Sequence, residues 1–330
     1  MPRSWRLVVV EAITREILRG TAEAGSVRVP CLLRLATVIV AVSVIPLHVN
    51  AAGDIAVIRS RDLEPYNQAF AGFSEACTDQ IKQYTLGGDK ASQQRMVQAI
   101  GETKPRLVLA IGLAAAKLAK EHLPDTRTLY IMVSNPKKYD LVGNNVAGIT
   151  LNIPVDAQFN AYKTMVPGLK SIGVIYDANN SGELIREASA VARKLGVELV
   201  AVSVRSQKEV PEALRGMLGK VDAIWMVPDE TVVTTDSFKY FLLTTLENGV
   251  PFFAASDIFV EAGALAALTP DYTDVGRQGC QLAMGFTTTV VEAGARPPRK
   301  VNLSLNLKTA RKIGLVIPPS VIDSARVVYR

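Results

Sequence analysis

Short apolar runs recur along residues 54–256, each followed by a polar or glycine-bearing turn and then by a stretch with helical spacing. In the first half the pattern predicts a strand at DIAVIRS (54–60), a helix from Tyr66 to Gln83 and a second helix around Ala91–Gly101. A strand at RLVLAIG (106–112), a helix over Leu113–His122 and a strand at TLYIMVS (128–134) follow. The second half repeats this grammar. Strands are predicted at SIGVIYD (171–177), ELVAVSV (198–204), AIWMVP (223–228) and PFFAAS (251–256), alternating with helices over Gly182–Leu195, Val210–Leu218 and Asp236–Asn248. Strands that are apolar on both faces and alternate with helices belong to parallel sheets covered on both sides. The expected fold class is therefore α/β, with two doubly wound parallel-sheet lobes.

The segment 266–294 reads as a strand-like run and then a helix carrying Leu282, Phe286 and Val290. It exceeds what the second lobe needs and is expected to return to the first. After the Arg296-Pro297-Pro298 turn, Asn306 or Thr309 opens a short helix that Gly314 stops. Crossings near 165, 265 and 300 would make a three-segment hinge, with 54–165 plus 266–300 as lobe 1 and 166–265 plus 301–330 as lobe 2. Such hinges close lobes around ligands.

The amino terminus has a different character. Leu35 to Leu47 (LATVIVAVSVIPL) is thirteen residues without a charge, preceded by Arg28 and Arg34 and followed by Val49-Asn50-Ala51. That is too short to cross a bilayer, which takes roughly 20 apolar residues. It fits the apolar core of a cleavable export signal ending near Ala51. An uncleaved anchor is the alternative, and residues 1–27 read as an extended leader or the result of a start placed too far upstream. Composition fits a folded chain: 48% hydrophobic and 21% charged residues exclude intrinsic disorder. The net charge of +6 owes much to the six arginines before residue 52; beyond it 31 basic residues face 28 acidic ones. No basic stripe remains for nucleic acid.

Beyond Ala51 the chain keeps one histidine, His122, and two cysteines, Cys77 and Cys280. That inventory builds no Cys/His zinc site, and HExxH, CxxC and GxSxG are absent, so neither a metal nor another cofactor is expected. His122 sits at a helix end, where a surface imidazole facing the dipole is the ordinary reading. Cys77 and Cys280 fall on helices assigned to one lobe, and an oxidising compartment permits their bond, worth roughly 3–5 kcal/mol on the chain-entropy argument. Two buried thiols are the alternative.

Ligands of open parallel sheets bind beyond the carboxyl ends of the strands. The loops there supply the candidate binding residues: Asp62 and Glu64; Gly112, Leu113 and Ala114; Ser134 and Asn135; Asp177 and Asn180; Asp229, Glu230 and Thr231; Ser256 and Asp257. Each also has a plain structural role to weigh. Asp177, Asn180 and Ser181 are ordinary helix caps, worth roughly 1 kcal/mol each. Gly112 relieves a strand-to-helix turn, and Asp229 and Glu230 are rim charges. Convergence of the six loops favours a cleft. Helix amino termini after Gly112 and Asp177 suit a carboxylate, and Asp257 suits a cation. Together they suit a zwitterion with its carboxylate at Gly112–Ala114 or Ser134 and its ammonium at Asp257.

Several stretches resemble the extracytoplasmic solute-binding proteins of ABC transporters, in the group with tryptophan- and tyrosine-binding members. They are KPRLVLAIGLAAAKLA (104–119), GNNVAGITLNIPVDAQF (143–159), KSIGVIYDANNSGELI (170–185), KVDAIWMVPDETVV (220–233), the run from Val250 to Ala283, and VNLSLNLKTARKIGLVIPPSVIDSA (301–325). The resemblance implies a type I periplasmic-binding fold and a monomer in the periplasm or outside the membrane that hands a small solute to an ABC permease. Three features depart from the family pattern: Arg106 stands where Asp is usual, the stretch between Cys77 and Gly88 is short, and SNPKKYDL (134–141) replaces a threonine-valine-aspartate-proline pattern. The last argues against an aromatic amino acid as ligand. A periplasmic ligand-sensing module reporting to a membrane kinase or cyclase is the alternative function. An enzyme would need Asp257 or Glu230 as a base, with Tyr176, Ser256 or Ser134 beside it, and a DNA-binding repressor is disfavoured by the export signal.

Overall fold

The computed structural model describes residues 54–288 and 294–330. The leader expected over 1–51, and Val290 of the late helix, lie outside them. Lobe 1 holds a parallel sheet of β1 (Ile55–Arg59), β2 (Ile81–Thr85), β3 (Leu107–Ile111), β4 (Thr128–Val133), β5 (Val146–Thr150) and the short β11 (Ala295–Arg296). Their order is β11-β5-β4-β3-β1-β2. Helices α1 (Glu64–Ala76), α2 (Lys90–Thr103) and α3 (Leu113–His122) connect the first four strands. Every residue of β3 and β4 is buried, as a central strand covered on both faces requires.

The predicted helix Tyr66–Gln83 is too long. It ends at Ala76, and 81–85 is strand β2. That strand lies at the sheet edge with Lys82 and Gln83 exposed, so IKQYT carries none of the apolar run that marks the interior strands. Strand β5 and helix α4 (Val155–Met165) also had no counterpart in the sequence pattern.

Lobe 2 holds β6 (Ser171–Tyr176), β7 (Glu198–Ser203), β8 (Ala223–Trp225), β9 (Phe252–Ala254), β10 (Ala266–Pro270), β12 (Val301–Asn306) and β13 (Val327–Tyr329). The order is β13-β12-β10-β9-β8-β6-β7, parallel except for the antiparallel pair β10–β12. Its helices are α4, α5 (Ala178–Lys194), α6 (Val210–Met217), α7 (Thr235–Glu247), α8 (Asp257–Glu261), α10 (Leu307–Lys312) and α11 (Pro319–Ser324), while α9 (Tyr272–Thr288) returns to lobe 1. Asn306 caps α10 by accepting from the Thr309 amide, and Gly314 follows at φ 72°.

Two lobe boundaries move. Helix α4 packs on sheet two, with Phe159 edge-on to Trp225 at 5.1 Å and Tyr162 stacked on Phe253 at 3.8 Å. The first crossing is therefore 151–154, not near 165. Strand β10 pairs with β9 and β12, which places the second crossing at Asp271 rather than 265. An amphipathic helix carries no mark of which sheet will cover it, and that is why periodicity misplaced these junctions. The third crossing is 297–300. Here Arg299 grips the buried Asp274 of α9 through Nε at 2.8 Å and Nη2 at 2.9 Å.

Helices α1 and α9 approach so closely that a methyl group at Gly276 would land on the Ala69 carbonyl oxygen, and one at Gly72 on that of Thr273. A disulfide joins Cys77 at the end of α1 to Cys280 of α9, with Cα atoms 5.6 Å apart. It clamps the element that returns late in the chain onto the first helix of lobe 1.

Candidate functional site

Both sheets reverse their strand order at one point, between β1 and β3 in lobe 1 and between β6 and β8 in lobe 2. Crevices at such points are where open sheets take ligands, and the loops after β1, β3, β6 and β8 flank them. What the structure adds is how many of them are already engaged with one another.

In lobe 1 the Ser60 hydroxyl accepts from the Ala115 amide of α3 at 2.9 Å, across the β1–β3 crevice. Gly112 turns the chain into α3 at φ 90°, and a Cβ there would meet the Tyr66 hydroxyl at 2.6 Å and Ser60 Oγ at 2.8 Å. Only glycine fits, for conformation and for space. Burial raises the Tyr66 phenol above its ordinary pKa, with nearby Arg61 opposing. The first-turn amides of Leu113 and Ala114 have no acceptor among the described residues. Asp62 and Glu64 are exposed and bind locally, Asp62 to Asn67 and Glu64 to Gln68, both at 2.9 Å.

In lobe 2 the network is tighter. Asp229, 2% exposed, accepts from the backbone amides of Asp177 at 2.9 Å and Thr231 at 3.0 Å, and from Asn180 Nδ2 at 3.3 Å. Asp177 caps α5 by accepting from the Asn179 amide at 2.9 Å and takes the Thr231 hydroxyl at 2.8 Å. Those bonds, the Asn179 amide first, hold its carboxyl below the usual range, and Lys138 of the opposite lobe adds to the effect. Asp177, Asn180, Asp229 and Thr231 are thus a brace that ties the β6 loop to the β8 loop. Glu230 is exposed on the same loop.

Asp257 stands apart from this brace. It is half-buried at the start of α8, just after Ser256, and its carboxylate takes the adjacent Ile258 amide at 3.1 Å. Its charge reaches Tyr272, whose phenol is raised first by burial and then by Asp257.

A cavity of about 630 Å³ separates the lobes beside these crevices. Lobe 1 contributes Asn135, Lys137 and Lys138 from the loop after β4, and the first crossing contributes Asn152. Lobe 2 contributes one face of α5, including Asn179, Glu183 and Glu187. Asn135 accepts from Asn152 at 3.0 Å, while Ser134 is half-buried one residue before it. Lys138 Nζ donates to Asn180 Oδ1 at 2.9 Å and Lys137 Nζ lies 3.5 Å from Glu183, so the two lobes touch at this rim.

The lysine pair, Asn152 and the α5 face were not among the predicted site residues. With Asp177 as the cap of α5, ahead of the expected start at Gly182, Asn179, Glu183 and Glu187 fall on one stripe at helical spacing. Among the described residues no group of three or more His, Cys, Asp or Glu is placed to hold a metal ion. No helix of the described residues is long and apolar enough to cross a membrane.

Comparison with known proteins agrees with this architecture. The family profile described as ABC transporter substrate binding protein matches residues 69–329. A protein of Clostridioides difficile (strain R20291) named tyrosine-binding protein is 26% identical over 221 residues, which span 64% of this chain and 64% of that relative's length. Among solved structures, the ligand-free, open form of a substrate-binding protein with adhesive properties from Clostridium difficile superposes with a TM-score of 0.71. It is 22% identical, over 84% of this chain and 99% of that one. An ABC domain in complex with L-Trp from Streptococcus pneumonia gives 0.58 at 23% identity, again over 84% and 99%. At such identities the likeness establishes the fold, that of type I periplasmic binding proteins. The profile covers most of the sequence, and the chain belongs to the ABC transporter substrate-binding protein family.

Proposed function

We propose that this chain captures a small polar solute between its lobes outside the cytoplasm and delivers it to an ABC permease. Binding without turnover is its task. The observation that carries the reading is the cavity of about 630 Å³ between lobes joined by three chain crossings, within a family of substrate-binding proteins. A pocket of this size admits an amino acid or a related compound.

The ligand class follows from the groups left over once the braces are accounted for. Asp177 and Asp229 are engaged within lobe 2, so neither is assigned to the solute. Outside the lining of that cavity, the unengaged Leu113 and Ala114 amides suit a carboxylate, and Asp257 suits an ammonium. Relatives named for tyrosine binding and solved with L-Trp support an amino-acid-like ligand.

The test begins with mass spectrometry of solute released from gently purified protein, followed by titration calorimetry of that solute. Asp257→Ala is expected to weaken binding a hundredfold or more, because closing the lobes strands an unpaired charge at a cost of about 3–5 kcal/mol. Its thermal midpoint without ligand should barely move. Wild-type affinity in the variant, or a solute lacking any cationic or donor group, overturns the assignment.

A further inference from the structure

The segment 132–140 is unusual in its backbone. Of the four non-glycine residues with positive φ among the described residues, three lie here: Met132 at 63°, Asn135 at 47° and Asp140 at 54°. The register of β4 against β5 shifts between Ile131 and Val133, so the strand bulges as it enters this loop. Such conformations persist only where the surroundings hold them. Here the holding groups can be named. Asn152 donates to Asn135, Lys120 pairs with Asp140 at 2.6 Å, and the Leu141 amide closes on the Pro136 carbonyl at 2.9 Å.

The short 3-10 turn Pro136–Tyr139 is what this scaffold presents, with Lys137 and Lys138 at its exposed edge. Both reach lobe 2. Lys138 meets Asn180, whose own amide group is fixed by Thr231 Oγ1 at 3.0 Å and Asp229 Oδ1 at 3.3 Å, and Lys137 meets Glu183. The receiving surface is the amino-terminal part of α5, and Asp177 lies behind it as a further negative charge. The backbone of the turn and the Asn180 side chain are held before the lobes meet, which lowers the ordering cost of the Lys138 contact.

We propose that Lys137 and Lys138 form a clasp that biases the lobes toward closure before any solute binds. The clasp then sets apparent affinity through the closed population: affinity scales with the fraction of protein already in the binding-competent state. Only that consequence rests on the reading of the cleft as the solute site. The clasp itself is a property of the ligand-free protein.

The two contacts are of unequal weight. Lys137 and Glu183 are 75% and 72% exposed, so their pairing is weak and salt-sensitive. Lys138 onto the braced Asn180 is the better-defined contact. The closed-to-open ratio should change by about 1.5-fold to fivefold for Lys137–Glu183, the range found for exposed ion pairs, and by about twofold to tenfold for the Lys138–Asn180 hydrogen bond.

The experiment is an electron–electron spin distance measurement on ligand-free protein, with labels carried on non-cysteine residues at Arg95 in lobe 1 and Arg215 in lobe 2, both exposed. Lys138→Ala, and separately Lys137→Glu with Lys138→Glu, should move the distance distribution toward the open population. High salt should do the same to the unaltered protein. Glu183→Lys in the Lys137→Glu background should restore part of the closed population, which a general loss of folding does not do. Distributions that stay unchanged in every variant overturn the clasp, even if solute affinity falls, since the lysines would then act on the ligand. If solute binding fails altogether while the variants still open the lobes, the clasp stands and the solute-site reading falls.

Discussion

Replacing Asp229 separates a structural brace from a ligand-binding carboxylate. Asp229 is 2% exposed and accepts from the amides of Asp177 at 2.9 Å and Thr231 at 3.0 Å, with Val232 at 3.4 Å and Asn180 Nδ2 at 3.3 Å as longer bonds. Asp229→Ala removes every one of these acceptors at once. A buried donor left unsatisfied costs about 1–3 kcal/mol, so two well-formed amides without a partner put the loss at about 2–6 kcal/mol. For a chain of this size about 2–4 °C of melting temperature accompanies each kcal/mol. Differential scanning calorimetry of ligand-free protein should therefore show a fall of about 4–24 °C. Asp229→Asn should fall less, since one oxygen still accepts while the new amide group turns a donor toward one of the backbone donors. A variant that keeps the melting temperature but loses solute binding would refute the brace and return Asp229 to the ligand.

Other consequences follow from the same contacts. Removing the disulfide with Cys77→Ser and Cys280→Ser should cost about 3–5 kcal/mol, read as a lower urea midpoint than that of the oxidised protein; identical midpoints would count against the bond. Gly276→Ala should destabilise by about 1–3 kcal/mol, because its methyl group meets the backbone of α1 rather than a movable side chain; a melting temperature within a degree of the unaltered protein would contradict the close approach. Arg299 holds the Asp274 carboxyl below its ordinary range, so this pair stabilises fully above the unfolded carboxylate value, about pH 3.9, and the contribution is lost as pH falls through the lowered folded value. Denaturant midpoints taken from pH 6 to pH 3 should drop less steeply in Arg299→Gln than in the unaltered protein.

The sequence revealed the sheet interiors better than the junctions. Strands β3 and β4 are buried along their whole length and stand out as apolar runs, and α3 was placed with its observed ends. Edge strand β2, with Lys82 and Gln83 exposed, has no such signature and merged into the preceding helix. The hinge crossings at 151–154 and Asp271 depend on which sheet covers α4 and which strands flank β10. Those are long-range choices that local periodicity does not encode. At the site, the position of the carboxyl-end loops was legible, but the division of labour among their polar residues was not. Asp177 and Asp229 read as ligand groups because nothing local shows that each would satisfy the other's loop. Lys137 and Lys138 were visible as a departure from the family pattern, yet their contact with Asn180 and Glu183 spans 42 and 46 residues.

The central claim is that a small solute sits between the lobes, and a crystal structure of the protein with its co-purified solute tests it most directly. The account predicts electron density for the solute in the cleft, with a carboxylate near the Leu113 and Ala114 amides and a cationic group near Asp257. Solute bound anywhere outside the cleft, or in a cleft where neither group is contacted, would contradict it.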